Sequence, residues 1–249
     1  MQQEVLQKGR YRARLTRDPG DIRAAQALRF RAFFNRAGAG LDADGFDDRC
    51  THVVVEEDKS GALVACCRLL PLASGGEIAT SYAAQFYDLS RLGAWPGRML
   101  EIGRFCLAPG RRDPEILRVA WAMLTRLVDE TGVEMMFGCS SFAGTDPAAH
   151  LAGLAALRAH FLAPPRWAPG EKAPELFRFA REVTVPPRMR AVPPLLRSYL
   201  AMGGWVSDHA VIDRDLGTLH VFTGLEVAAV PAARARALRA AAGSSPAGD

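Results

Sequence analysis

Two charges sit where charges are costly. The stretch Met99–Pro109, MLEIGRFCLAP, has the apolar density of a buried strand yet contains Glu101 and Arg104. Taking either out of water without a partner is expensive. Side chains alternate along a strand, so residues three apart face opposite sides of it. Two readings are open: ion pairs to neighbouring elements, or a catalytic or substrate-binding strand in the middle of a sheet. The chemistry on offer is proton removal by a carboxylate and the grip of a guanidinium on an anion.

Other charges precede this strand. Arg29 lies one helical turn before Phe33, so the two share a face; taken alone, Arg29 reads as a solvated helix charge. The loop LDADGFDDRC, 41–50, carries Asp42, Asp44, Asp47 and Asp48. Its ligand order is wrong for a calcium loop, which leaves a solvated turn or an acidic wall suited to a cationic substrate. Arg68 stands near the end of the otherwise apolar ALVACCRLL, as an edge residue or an anion clamp. Cys50, Cys66, Cys67, Cys106 and Cys139 form no C-x-x-C pair and read as small core residues in a reducing compartment. No metal site is expected. Cys106 has no evident base beside it, which disfavours a covalent acyl intermediate, and its bland reading, with Phe105, is core packing.

The elements that must position these residues follow from pattern. Residues 1–10 read as a polar extension and Tyr11–Thr16 as a weak first strand. A helix capped by Asp18 or Asp21 runs to about Asn35 and ends at Gly38-Ala39-Gly40. Thr51–Glu57 and Ala62–Leu70 form a hairpin across Asp58–Gly61, closed by Pro71. The charged strand spans about 98–108. Asp113-Pro114 starts a helix that buries Leu117, Trp121, Leu124 and Val128 and ends at Gly132. Val133–Cys139 is a strand, 147–161 a helix, Phe177–Val185 a strand, LLRSYLAMG a helix, and Trp205–Ile212 and Leu219–Phe222 two late strands. Strand and helix in alternation indicate an α/β domain with a mixed sheet.

The chain has 249 residues, 49% of them hydrophobic, and a net charge of +4. It can bury a sizeable core. Only Lys8, Lys59 and Lys172 are lysines, and the basic residues do not interleave with aromatics as nucleic-acid binding requires. No run approaches the ~18 apolar residues of a membrane span, and the first residues lack the apolar segment of a secretory signal. A cytoplasmic protein is expected, with a peripheral contact at the inner membrane compatible with the charge.

The charged residues, in order, resemble a family pattern. Arg29 with Phe33, Asp44 with Asp47, Arg68 in CRLLP and Glu101 with Arg104 in EIGRF are arranged as in the acyl-homoserine-lactone synthases, N-acyltransferases related to the GNAT superfamily. A sister group, the ornithine N-acyltransferases of ornithine-lipid synthesis, is more similar still. That likeness takes in LRFRAFF, GFDDRCTHVVV, VACCRLLP, EIGRFCLAP and PPLLRSYLAMGGWV. The last segment is usually lacking in the lactone synthases. Where those usually place a tryptophan after the Phe33-like residue, this chain has Asn-Arg-Ala-Gly-Ala-Gly.

The resemblance implies a GNAT-like mixed central sheet flanked by helices. The core would span 11–162, a C-terminal elaboration 163–227, and an Ala/Arg-rich helix with a disordered tail 228–249. It also implies transfer of a 3-hydroxyacyl chain from acyl carrier protein to the α-amine of ornithine, with glutamine as a related acceptor. Glu101 would be the base and Arg104 its partner. Arg29, Phe33, Asp44, Asp47 and Arg68 would bind substrate; equally, Asp44 and Asp47 would tie the acidic loop to Arg29 or Arg68 in an ion-pair network. Phe105, Cys106 and Leu107 would form the oxyanion or pantetheine region. No cofactor or metal would be bound; the acyl donor would be the carrier protein's phosphopantetheine. Relatives that use acetyl-CoA have a glycine-rich loop that holds the pyrophosphate at a helix N-terminus. Here LAPGRRDPEI has one glycine and places Asp113 at the cap, which favours a carrier protein met by Arg111, Arg112 and Arg118. The rival expectations are a lactone synthase, a CoA-dependent acetyltransferase and a non-catalytic GNAT-like module on a membrane surface.

Overall fold

The computed structural model describes residues 5–34, 40–179 and 185–243. In chain order these form β1 (Val5–Lys8), β2 (Tyr11–Thr16), α1 (Pro19–Phe34), β3 (Thr51–Glu57), β4 (Leu63–Leu72), β5 (Tyr87–Asp88), β6 (Arg98–Leu107), α2 (Pro114–Thr131) and β7 (Val133–Ala143). Then come α3 (Leu151–His160), β8 (Gly170–Glu171), β9 (Leu176–Arg178), α4 (Pro194–Ala201), β10 (Trp205–Val206), β11 (His209–Asp213), β12 (Thr218–Glu226) and α5 (Ala232–Ala242). Short 3₁₀ turns join several of them. The helix end expected at Gly38–Gly40 lies largely outside the described residues, as do the end of the strand expected over Phe177–Val185 and the last residues of the tail.

The chain divides into two compact units, each built from separate segments. The first takes 1–70, 102–132 and 232–249; the second takes 71–101 and 133–231. In the first, β1 to β4 are neighbours in sequence order, and the C-terminal half of β6 lies next to β4. Val5–Lys8, expected within a polar extension, instead forms an antiparallel hairpin with β2; Gly9 turns it with φ +54°. Helix α2 obeys its sequence signals. The Asp113 carboxylate accepts from Glu115 N at 2.9 Å, Pro114 is the first helical residue, and Gly132 ends the helix in the left-handed region. These satisfy backbone groups that a bare helix end leaves orphaned. Helix α5 packs on α2: Arg239 pairs with Asp129 at 3.0 Å, and Arg126 donates to Ala242 O at 2.6 Å.

In the second unit, β7 pairs antiparallel with β12 from Met135 to Ala143, and β12 continues to β11 and β9. The expected strand Val133–Cys139 therefore runs on to Ala143, because β12 supplies a partner for each residue from Met135 to Ala143. Strand β6 enters this unit through Arg98–Glu101, parallel to β7. Below the sheet, Val192, Leu196 and Leu200 pack with Leu154, Leu157 and Val206. The helix expected over 147–161 is a 3₁₀ turn followed by α3. Pro71, expected to close its strand, lies inside β4 with an exposed side chain.

One backbone feature marks β6. Arg104 has φ +52°, the only positive value at a non-glycine among the described residues. An L-residue in the middle of a strand avoids that region because its Cβ is crowded there.

Candidate active site

In the first unit, α1 turns Arg29 onto its buried face beside Ala25 and Leu28. Arg29 is 1% exposed, so the solvated reading of this residue fails. A buried guanidinium must be paired, and the acidic loop supplies the charge. Arg29 Nη1 and Nη2 donate to the two Asp47 oxygens, each at 2.8 Å. Its Nη2 also donates to the Asp42 carbonyl. Its Nε lies 3.0 Å from Asp42 Oδ2, a charge contact not aligned as a hydrogen bond.

Arg68, on β4, forms a fork with Asp44, its Nη2 donating to Oδ2 at 2.8 Å. It reaches Asp47 at 3.2 Å as well and lies over the Phe46 ring. Arg104 Nε donates to Asp42 Oδ2 at 2.9 Å, and its Nη2 to Asp44 at 3.4 Å. Three arginines from three elements thus hold one loop, and the loop's aspartates bridge them. Asp42 and Asp47 are buried, while the Asp44 side chain keeps 28% of its exposure. Gln26 donates to Asp47 at 2.9 Å. His52, fully buried, meets the Asp47 carbonyl through Nε2 at 3.1 Å.

The electrostatics follow. Burial works to raise the Asp47 carboxyl, but hydrogen bonds from Arg29 and Gln26 outweigh it and hold the group well below the usual carboxylate range. Asp44 is lowered in the same way by Arg68. Burial also lowers His52, so the imidazole is neutral and Nε2 carries the proton given to the carbonyl.

The acyl-site residues expected on β6 lie in ordinary packing. Phe105 stacks on Trp121, with ring centroids 6.5 Å apart. Cys106 Sγ is 3.7 Å from Cys66 Sγ, in a cluster with Ala25 and Leu28 on which Phe33 packs. That contact and burial push the Cys106 thiol up, which makes it a poor nucleophile. Leu107 is half-buried. Arg111 pairs with Glu57 at 3.3 Å, Arg118 pairs with Glu115, and Arg112 is exposed. Asp113 accepts from Arg10 at 2.5 Å and from Tyr11 at 3.0 Å. Arg10 and Tyr11 hold its carboxyl below the usual range, so α2 begins on a carboxylate.

In the second unit, Glu101 is 3% exposed and is the last residue of β6 paired with β7, opposite Phe137. Its oxygens accept from the backbone N–H groups of Tyr82 at 2.8 Å and Ala83 at 2.7 Å. Two amides at the start of a 3₁₀ turn thus hold the anion. Sequence reasoning passed over Asp42 as a bridge, His52, Gln26 and the Tyr82 and Ala83 amides. Asp42 was visible as a fourth acid in its loop, but backbone amides leave no mark in a sequence.

Comparison with known proteins places these features in context. The model of the acetyltransferase (GNAT) domain matches residues 28–122. The chain is 34% identical over 236 residues to the L-ornithine N(alpha)-acyltransferase of Rhodobacter capsulatus, covering 88% of this chain and 91% of that one. It is 32% identical to the protein of the same name from Brucella abortus, covering 88% and 85%. Among solved structures, FeeM, an N-acyl amino acid synthase from uncultured soil microbes, aligns with TM-score 0.51 at 11% identity over 89% of this chain and 94% of that one. That similarity supports the fold alone.

Proposed function

Because the chain belongs to the family of the L-ornithine N(alpha)-acyltransferases, we propose that it moves a 3-hydroxyacyl chain from the phosphopantetheine thioester of acyl carrier protein to the α-amine of ornithine. The near full-length match to proteins of that name carries this reading. In the reaction the neutral amine attacks the thioester carbonyl. A C–N bond forms, the C–S bond breaks, the amine gives up a proton, and the pantetheine thiol leaves. The high thiol pKa of Cys106 supports direct attack over an acyl-enzyme intermediate. The Asp113 carboxylate at the start of α2 supports a donor without a pyrophosphate in that place. Arg112, with Arg111 and Arg118, meets the acidic carrier protein.

Glu101 is assigned proton removal from the amine. Arg29, Asp42 and Asp47 are positioning residues: their charges are spent on one another, and they fix the loop that carries Asp44. Asp44 retains the exposure to meet a cationic side chain, while Arg68 and Arg104 set its orientation.

The double amide bond on Glu101 favours a second reading, in which Glu101 fixes the turn at Tyr82–Ala83 and the base lies elsewhere. The pH–rate profile separates the two. Loss of the acidic limb in Glu101→Gln marks a base; a uniform loss marks a positioning residue. The function is tested by offering 3-hydroxyacyl carrier protein with a panel of amino acids and reading products by mass spectrometry, beside arms with acyl-CoA and with S-adenosylmethionine. Absence of acylated ornithine and glutamine would overturn it. A lactone product would restore the lactone-synthase alternative.

A further inference from the structure

We infer that the segment Pro186–Arg197 is a docking surface for an anionic phospholipid bilayer. In the second unit, the exposed arginines Arg166, Arg178 and Arg214 each pair with a carboxylate: Glu226, Glu171 and Glu175. Arg188, Arg190 and Arg197 are exposed too, yet have no side-chain partner among the described residues. From Val185 to Ser207 the sequence contains these three arginines and no acidic residue. Among the described residues these three guanidiniums therefore have no carboxylate partner, unlike Arg166, Arg178 and Arg214.

The segment is also held rigidly. Arg188 N donates to Ala152 O on α3 at 2.9 Å. Val192 and Leu196 insert into the core. A Cβ on Gly153 would come within 2.9 Å of Ala191 O, so the turn lies directly on α3. Two proline pairs, Pro186-Pro187 and Pro193-Pro194, stiffen its ends. At its crest Met189 is 37% exposed, one of three large exposed hydrophobics among the described residues, and it stands between Arg188 and Arg190. Helix α4 adds Arg197 on its outward face, opposite the buried Leu196 and Leu200.

A protruding apolar side chain flanked by unpaired guanidiniums suits the boundary between headgroups and acyl chains. The arginines meet lipid phosphates while the methionine enters the apolar layer. An acidic protein would use the charges but not the methionine. The surface is distinct from α5, whose Arg239 is taken by Asp129. It depends on none of the residues assigned to acyl transfer, so it stands or falls separately from that reading.

The test is flotation of the full chain with vesicles of phosphatidylcholine alone and with phosphatidylglycerol added. The wild-type chain should bind only the anionic vesicles, and less as salt rises. Combined Arg188→Ser, Arg190→Ser and Arg197→Ser should weaken that binding roughly a hundredfold, and Met189→Ser roughly tenfold. Acyl transfer to a soluble acceptor should be unchanged in both, which also verifies folding; Arg190→Ser alone serves if the triple variant fails to fold. Equal binding to both vesicle types, no binding to either, or unchanged binding of the triple variant overturns the proposal. So does a loss confined to Arg234→Ser with Arg236→Ser, or a triple variant that loses only capture of acidic carrier protein.

Discussion

Two buried anions are stabilised in opposite ways. In the first unit, Asp47 is held by side-chain charge, from Arg29 and Arg68, within a cluster of three arginines and three aspartates. In the second, Glu101 is held by two backbone amides. The first arrangement is collective: each charge is tolerable only while its neighbours remain, so removing one strands the rest. The second is local. Backbone amides cannot be mutated away, do not titrate, and hold the carboxylate at a fixed point. Collective charge suits a scaffold that must keep a loop folded. A carboxylate fixed by amides suits a group whose position matters to chemistry.

The comparison breaks first at Arg29. Arg29→Ala should cost about 3–5 kcal/mol of stability, measured by denaturant unfolding, because Asp47 then remains buried without its main partner. A double-mutant cycle with Asp47→Asn should return a coupling above about 1 kcal/mol; additive losses would show that the cluster is not collective. Glu101→Gln should instead spare most of the stability and lower turnover by about 10²–10⁴, read in the acyl-transfer assay. If it unfolds the protein as Arg29→Ala does, the contrast fails.

Acid gives a graded test. His52, Asp44 and Asp47 all have folded pKa values below their unfolded ones. The unfolded chain therefore binds more protons, and stability is lost as pH falls. The loss should begin near about pH 6.5 with His52 and continue below about pH 4 with the aspartates. Thermal melts across this range should show both steps, and His52→Gln should remove the upper one. The smallest effect belongs to a neutral buried group. Tyr87 Oη donates to His220 O at 2.9 Å and lies 3.1 Å from His220 Nδ1. Tyr87→Phe should cost about 1–3 kcal/mol without changing the acid profile, which urea melts at two pH values would check.

What the sequence made legible was local. Thr51–Glu57 and Pro114–Thr131 were readable to the residue, because alternation, a cap, a proline and a glycine are written where they act. Val5–Lys8 was not, since four residues of mixed polarity carry little pattern and their strand state depends on pairing with β2. The site divides the same way. Charges at 29, 44, 47, 68, 101 and 104 were visible as anomalies or as motif positions. That Arg29 is buried was not, because its partner Asp47 lies 18 residues further on and the helix presents no other sign of it.

The left-handed backbone at Arg104 has a consequence for which residues position 104 can accept. Away from glycine, that conformation costs on the order of 1–3 kcal/mol, so the local backbone prefers glycine while Asp42 and Asp44 call for a guanidinium. Exchange for glycine relieves the backbone and loses the clasp. Exchange for alanine loses the clasp and keeps the strain. Lysine keeps the charge but not the fork. The backbone cost is carried by Arg104 and by every non-glycine replacement alike, so only glycine relieves it, and what each replacement forfeits is all or part of the clasp on Asp42 and Asp44.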